Sequence, residues 1–207
     1  SLPRLGVLIV AWSAQKLYFL PFLPNHVFLT LCTHLILLLS IGWVFARSRP
    51  SPIRGDTVYE TFAPLVRIEI LILYFFAVFH KLNSAFFDAT VSCGWALYEE
   101  IAALVPLLPT AAPVPALTIY GTIGVEALIP ALLLFRRTRL WGIGLGLVFH
   151  LLLALGPRPY VASFSTMLIA VYALFLPSVV RQAIVDRVRA SRLAEGVRAL
   201  GRGPATR

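Results

Sequence analysis

Long apolar stretches, separated by short polar segments, run through most of the chain. Six of them can be placed, and most approach the roughly 20 residues that an α-helix needs to cross about 30 Å of hydrocarbon. They cover residues 5–23, 26–46, 62–82, 115–135, 140–155 and 160–176. The pattern predicts an all-α fold, a polytopic transmembrane bundle of about six helices that occupies residues 1–180.

Two segments depart from this pattern. Residues 83–113 mix aromatic and acidic side chains and contain three prolines, Pro106, Pro109 and Pro113. Such a mixture is typical of a helix at the membrane interface or of a re-entrant segment, so we expect no further span there. Residues 181–207 are rich in arginine. They predict a basic cytoplasmic tail, helical in part, that contacts anionic lipid.

Composition excludes the other broad classes of protein. Of the 207 residues, 59% are hydrophobic and 13% are charged, whereas a soluble domain has about 25% charged residues. The net charge of +9 includes 16 arginines, most of which cluster between the apolar stretches. Because such clusters are expected in membrane loops, we expect a lipid bilayer as partner and no nucleic acid. The two cysteines, Cys32 and Cys93, match no metal-ligand spacing, and we expect no metal site.

The arginine clusters also predict an orientation. In the six-span arrangement, 14 arginines lie on the side of the amino terminus, whereas Arg158 is alone on the other side. The clusters are Arg4, then Arg47, Arg49 and Arg54, then Arg136, Arg137 and Arg139, and the seven arginines from Arg181 to Arg207. The positive-inside rule therefore predicts that both termini are cytoplasmic.

Ionisable side chains in the apolar helices are the first candidates for function, because each is costly in a bilayer unless it is paired or faces the bundle interior. His26, His80, Lys81 and His150 belong to three predicted helices, and the topology places all four in the exoplasmic half. Their number at one depth favours a shared pocket over separate packing contacts. Glu126 lies at mid-depth, and the sequence does not identify its partner.

Helical phase groups some of the polar residues. Arg67, Tyr74 and Lys81 are spaced by seven and therefore lie on one face, with Glu69 nearly opposite Arg67. This stripe predicts either a site or a structural seam between helices.

Small residues recur on the predicted fifth helix. Gly142, Gly146 and His150 follow one another at a spacing of four. Since two glycines on one face permit close approach of a neighbouring helix, we expect His150 at a tight helix contact.

Lys81 has a chemical use in such a setting. Partial burial in an apolar pocket disfavours the ammonium form and makes a lysine a competent general base for a lipid-soluble hydroquinone or phenol. The alternative is that Lys81 only extends its amine to the membrane surface, as lysines at helix ends do.

The residues around Lys81 carry a family resemblance. They read Tyr74-Phe-Phe-Ala-Val-Phe-His-Lys-Leu-Asn83, followed by Phe86-Phe87-Asp88. This stretch resembles the signature of the vitamin K-dependent γ-glutamyl carboxylase family, whose bacterial relatives are the horizontally transferred transmembrane (HTTM) domain proteins. Two further pairs, Asn25-His26 and Phe149-His150, resemble family motifs on other helices, as does Phe164-Ser165.

The resemblance implies roles for individual residues. Lys81 would be the base that deprotonates reduced vitamin K or a related hydroquinone, and His26 and His150 would assist it as catalytic residues. Asn25, Tyr74, His80 and Arg67 would contact the substrate. The sequence itself shows no cofactor and identifies no protein partner.

The family resemblance also implies a setting for the chain. It implies a bacterial inner membrane and one or two helices before residue 1. Since no peptide-recognition domain is evident, the resemblance favours quinone epoxidation over carboxylation of a protein.

Two other classes of function remain open. A non-catalytic bundle, serving as an accessory subunit, binding protein or small-molecule carrier, would hold its histidines in helix contacts and have no cavity beside Lys81. A transporter would use Glu126 as its proton site.

Overall fold

The computed structural model describes residues 2–18, 24–47 and 55–201, and the described residues are all-helical, without a β-strand. The α-helices are α1 (Leu2–Leu17), α2 (Asn25–Arg47), α3 (Gly55–Lys81), α4 (Ser84–Phe87), α5 (Cys93–Leu104), α6 (Val114–Leu134), α7 (Arg139–Ala154), α8 (Pro159–Tyr172) and α9 (Ser178–Gly201). A short 3₁₀ turn, Ala173–Phe175, follows α8. The predicted all-α class is confirmed.

Three of the described helices, α2, α3 and α6, are long and apolar enough to cross a membrane. A fourth span results if α8 with its 3₁₀ turn and the start of α9 are counted together. Helices α1 and α7 have 16 residues each, which is about 24 Å at the usual helical rise and less than a bilayer core. The structure therefore supports an integral membrane protein but does not confirm six spans. Residues 19–23 of the first predicted span, and Arg49, Arg54, Arg202 and Arg207, lie outside the described residues.

The chain divides into two compact units, Ser1–Phe175 and Leu176–Arg207. The first unit contains the bundle. In the second, α9 forms the helix that the arginine-rich sequence predicts, and five arginines are distributed along it. Tail residues Gln182 and Asp186 are joined by a side-chain hydrogen bond of 3.1 Å one turn apart, as expected on a polar helix face.

Helix α3 is the centre of the bundle and packs against α2, α6 and the 3₁₀ turn. One face of it is buried, at Ala63, Val66, Ile70 and Tyr74, which recur at helical spacing. Apolar side chains on its other faces are exposed in large part, including Phe75. An apolar exterior is stable in a bilayer, because lipid tails are as apolar as the side chains themselves.

The glycines of α7 permit close approach to two different helices. A Cβ at Gly142 would lie 2.9 Å from the backbone nitrogen of Leu133 on α6, and a Cβ at Gly146 would overlap the ring of Tyr172 on α8. The fully buried His150 follows one turn later on the same helix. The prediction that these glycines place His150 at a tight helix contact is confirmed.

The segment between α3 and α6 contains α4 and α5 and no helix long enough to span a membrane. We call residues 83–104 the roof segment. Its side chains Phe86 and Trp95 form a buried cluster with Ile119 of α6. Ile119 lies in the amino-terminal part of α6, so α6 extends beyond the end of α3, and the roof segment packs against this extension.

Candidate functional site

A large apolar cavity lies between one face of α2 and one face of α3, and residues of the roof segment line one end. Its volume is about 1180 Å³, somewhat above the usual range of about 300–1,000 Å³ for small-molecule sites. The lining positions on α3 run from Leu65 to Lys81 at helical spacing, and those on α2 from Asn25 to Ile36. Glu126 of α6 and Phe164 of α8 complete the wall within the bundle.

Lys81 and Glu126 form an ion pair in this wall. The Lys81 Nζ donates a hydrogen bond to Oε1 of Glu126 at 3.0 Å and lies 2.8 Å from Oε2. The two side chains are 23% and 11% exposed, respectively. The Lys81 amine also lies 5.9 Å from the centre of the Phe86 ring in the roof segment, close enough for a cation–π interaction. The lysine is therefore held from two sides and is not a freely extended chain.

The end of α3 is fixed by one amide side chain. Asn83 Nδ2 donates a hydrogen bond of 2.6 Å to the carbonyl of His80, and its Oδ1 accepts one of 2.9 Å from the backbone N–H of Phe86. Asn83 is thus the amino-terminal cap of α4 and a link to the last turn of α3. This link positions Lys81 relative to the roof segment.

A second polar cluster is closed to solvent and lies where α3, α7 and α8 meet. The Tyr74 hydroxyl shares hydrogen bonds with His150 Nε2, at 2.8 Å, and with the Tyr172 hydroxyl. His150 Nδ1 lies 3.4 Å from Ser165 Oγ. All four side chains are buried. Because each polar group has a partner, the cluster is a satisfied hydrogen-bonded network between helices.

The structure separates some of the predicted site residues. Asn25, His80 and Lys81 line the cavity, whereas His26, Tyr74, Arg67 and His150 are not part of its lining. Among the two histidines expected to meet Lys81, His150 belongs to the closed cluster. His26 lies in the first turn of α2, where its carbonyl accepts a hydrogen bond of 2.7 Å from Thr30 Oγ1. The expected grouping of the amine with both imidazoles around one void is therefore not what the structure shows.

Arg67 anchors the end of the bundle away from Lys81. Its Nε donates a hydrogen bond of 2.7 Å to the carbonyl of Leu174 in the 3₁₀ turn. Along the predicted stripe, Arg67 contacts the 3₁₀ turn and Tyr74 contacts α7 and α8. Lys81, at the other end, contacts α6. One end of the stripe is a structural contact, and the other end reaches the cavity.

The sequence analysis did not identify several of the cavity-lining residues as site residues. Glu69 Oε2 accepts a hydrogen bond of 3.0 Å from Thr33 Oγ1 on α2. Both cysteines line the cavity, and both are free thiols. The signal available for Glu69 was its charge in an apolar helix, which by itself marks a candidate site. Within the described parts of the chain, no group of three or more His, Cys, Asp or Glu side chains is arranged to hold a metal ion.

Outside the bundle core, an ion pair joins the roof segment to the start of α8. Arg158 donates to both carboxylate oxygens of Glu100, from Nε at 2.7 Å and from Nη2 at 2.5 Å. The guanidinium lowers the pKa of Glu100, and the carboxylate raises the pKa of Arg158. This pair gives the isolated Arg158 a structural role.

The family model of the HTTM domain matches residues 10–178, which include every helix of the bundle in whole or in part. The chain belongs to the HTTM domain family. No curated protein and no solved structure shows a significant match to it. The matched region includes the ion-paired Lys81 and the stretch from Tyr74 to Asn83.

Proposed function

We propose that this HTTM protein is a membrane enzyme in which Lys81 acts as general base on a lipid-soluble hydroquinone, in the manner of the vitamin K-dependent carboxylase-like proteins that it resembles. The observation that supports this proposal best is the position of the amine. It lies in the wall of a cavity of about 1180 Å³ that is otherwise mostly apolar, beside a carboxylate that can exchange a proton with it. A hydroquinone ring and part of an apolar chain fit such a volume.

The proton balance of this step involves Glu126. A lysine must be a neutral amine to accept a proton, and in an ion pair it is an ammonium. Transfer of the ammonium proton to the Glu126 carboxylate gives a neutral amine and a neutral acid without moving net charge into the bilayer. The amine then accepts the phenolic proton, and the hydroquinone anion that forms is paired with the new ammonium. The 3.0 Å hydrogen bond supports such a transfer, because the two groups are already in contact.

The remaining candidate residues have different places in this proposal. Asn25 and His80 line the cavity and are proposed to contact the substrate. His150 would act through Tyr74, with which it shares a hydrogen bond, and would therefore be a positioning residue. His26, next to Asn25, would reach the substrate only after a side-chain movement. We further propose a bacterial cell membrane with both termini of this chain in the cytoplasm, which places the cavity on the exoplasmic side.

Epoxide formation tests the catalytic role. Membranes that contain the protein are incubated with reduced vitamin K and oxygen, and the epoxide is quantified. Replacement Lys81→Ala is expected to abolish product, whereas Lys16→Ala, the change at the other lysine of the chain, is expected to preserve it. Unchanged epoxide formation by Lys81→Ala at equal expression would refute the assignment of Lys81 as base.

A binding protein or carrier is the second candidate, and one observation favours it. His150 is buried within helix contacts, as a non-catalytic bundle predicts. The cavity beside Lys81 is not expected of an accessory bundle that binds no small molecule, whereas a carrier needs one. Saturable binding of a hydroquinone without any turnover would support the carrier over the enzyme.

A further inference from the structure

Two acidic side chains, Glu69 and Glu126, lie in the cavity wall. Oε1 of Glu69 is buried from solvent and has no hydrogen-bond donor among the described residues. Both oxygens of Glu126 lie within 3.0 Å of the Lys81 amine, so this carboxylate is paired with the ammonium. Buried polar atoms without a partner are uncommon in proteins and cost free energy. Oε1 of Glu69 can therefore stabilise a ligand that brings a donor, and the Lys81–Glu126 pair can exchange hydrogen bonds with a ligand hydroxyl.

Glu69 and the Lys81–Glu126 pair mark opposite parts of one elongated cavity. Glu69 and Lys81 are both lining residues of α3 and are 12 positions apart. At a rise of about 1.5 Å per residue, this separation is about 18 Å along the helix. The lining between them consists of apolar side chains, among them Ile72, Leu73 and Phe76. The cavity thus has a polar contact point at each of two depths and an apolar wall between them.

Thr33 fixes the orientation of the Glu69 carboxyl group, which is the contact point farther from the roof segment. Its hydroxyl donates to Oε2 of Glu69 at 3.0 Å and so occupies one carboxyl oxygen from the α2 side. The other oxygen, Oε1, is left to accept a donor. Cys32, adjacent to Thr33, lines the cavity at this depth, whereas Cys93 lines it at the roof segment.

We propose that the cavity binds a long, neutral amphiphile that carries a hydroxyl group at each end of an apolar chain, one at Lys81–Glu126 and the other at Glu69–Thr33. A neutral ligand suits the first contact point, because Lys81 and Glu126 already balance each other's charge. A hydroxyl group suits both, since it can donate to Oε1 of Glu69 and can both donate to and accept from the Lys81–Glu126 pair. This binding mode does not depend on the proposed catalytic role of Lys81, because it concerns binding alone.

Hexadecanol and its α,ω-diol are suitable probes, because the chains have equal length and differ only in the distal hydroxyl. The full chain in detergent micelles is titrated with each alcohol, and binding is measured as protection of Cys32 and Cys93 from N-ethylmaleimide by mass spectrometry. The diol is expected to bind about fivefold to tenfold more tightly, as one additional buried hydrogen bond would provide. Equal affinity for the two alcohols would overturn the proposal.

Variants locate the effect within the cavity. Glu69→Leu is expected to remove the preference for the diol and to leave the affinity for hexadecanol within about twofold. Thr33→Val is expected to reduce the preference, and the matched change Thr30→Val on the same helix is expected to leave it intact, since Thr30 is not a lining residue.

If Glu69→Leu does not yield monodisperse protein, the two threonine variants decide. A preference that survives Glu69→Leu, or that Thr30→Val reduces as much as Thr33→Val does, would contradict the proposal. A loss of epoxide formation in Lys81→Ala with the diol preference intact would separate the two proposals.

Discussion

The ion pair between Lys81 and Glu126 makes a quantitative prediction about stability. We consider Glu126→Leu, which removes the carboxylate and leaves the Lys81 amine beside an apolar side chain. An unpaired charge in apolar surroundings is costly, and breaking a fully buried pair typically destabilises a protein by about 3–5 kcal/mol. The expected cost here is smaller, because part of the amine can still reach a polar environment.

The structure sets the size of that reduction. The Lys81 side chain is 23% exposed and the Glu126 side chain 11%. Extension of the lysine towards its exposed side relieves part of the penalty, so we expect Glu126→Leu to lower the free energy of unfolding by about 2–3 kcal/mol. The double variant Lys81→Met/Glu126→Leu replaces both charges by apolar groups and is expected to lie within about 1 kcal/mol of the wild type.

Reversible unfolding in mixed micelles of dodecyl maltoside and sodium dodecyl sulfate measures these quantities. The four members of the cycle include Lys81→Met alone, which leaves the Glu126 carboxylate unpaired and adds its own cost. We therefore expect a coupling energy of about 2 kcal/mol or more. The reasoning is refuted if the double variant is destabilised by the sum of the two single changes, because the pair would then contribute nothing through its charges.

Three further predictions concern other contacts. Gly146→Ala is expected to lower the free energy of unfolding by about 1–3 kcal/mol, because the added methyl group overlaps the Tyr172 ring. Gly144→Ala on the same helix has open space at its Cβ and is expected to leave the stability unchanged. Equal thermal stability of the two variants would contradict this prediction. Arg158→Gln is expected to lower the melting temperature at neutral pH, because it removes the ion pair with Glu100. This difference from the wild type is expected to shrink as the pH falls below the ordinary pKa of Glu100, 4.5, and to vanish below its lowered pKa in the folded protein, where the carboxyl is protonated in both states. A pH-independent difference would argue against the ion pair. Tyr74→Phe is expected to lower the free energy of unfolding by about 1–3 kcal/mol, because it leaves the buried side chains of His150 and Tyr172 without the hydroxyl that they share. An unchanged free energy of unfolding would show that the Tyr74 hydroxyl does not hold the cluster together.

Much of the bundle could be predicted from apolar length and helical spacing. The helix positions and the close approach at Gly142 and Gly146 follow from patterns within one helix. The number of spans does not follow from apolar length, because the predicted stretch 140–155 and α7 both have 16 residues, fewer than the roughly 20 that a span needs.

The partner of Lys81 could not be predicted for a related reason. The sequence places Glu126 at mid-depth and Lys81 at a helix end, which separates them if all helices begin at the same level. In the structure α6 extends beyond the end of α3, and this offset brings Glu126 to the level of Lys81. Vertical offsets depend on packing between distant segments, so no pattern within one helix reveals them. The same limitation applies to His150, whose burial depends on Tyr172 of another helix.

The double hydrogen bond of Asn83 has a mechanical consequence. Its amide connects the last turn of α3 to the first turn of α4, and the lysine that precedes it by two positions carries the amine of the site. We therefore expect a displacement of α4 to move the last turn of α3 with it, so that the opening of the roof segment and the position of the Lys81 amine are coupled.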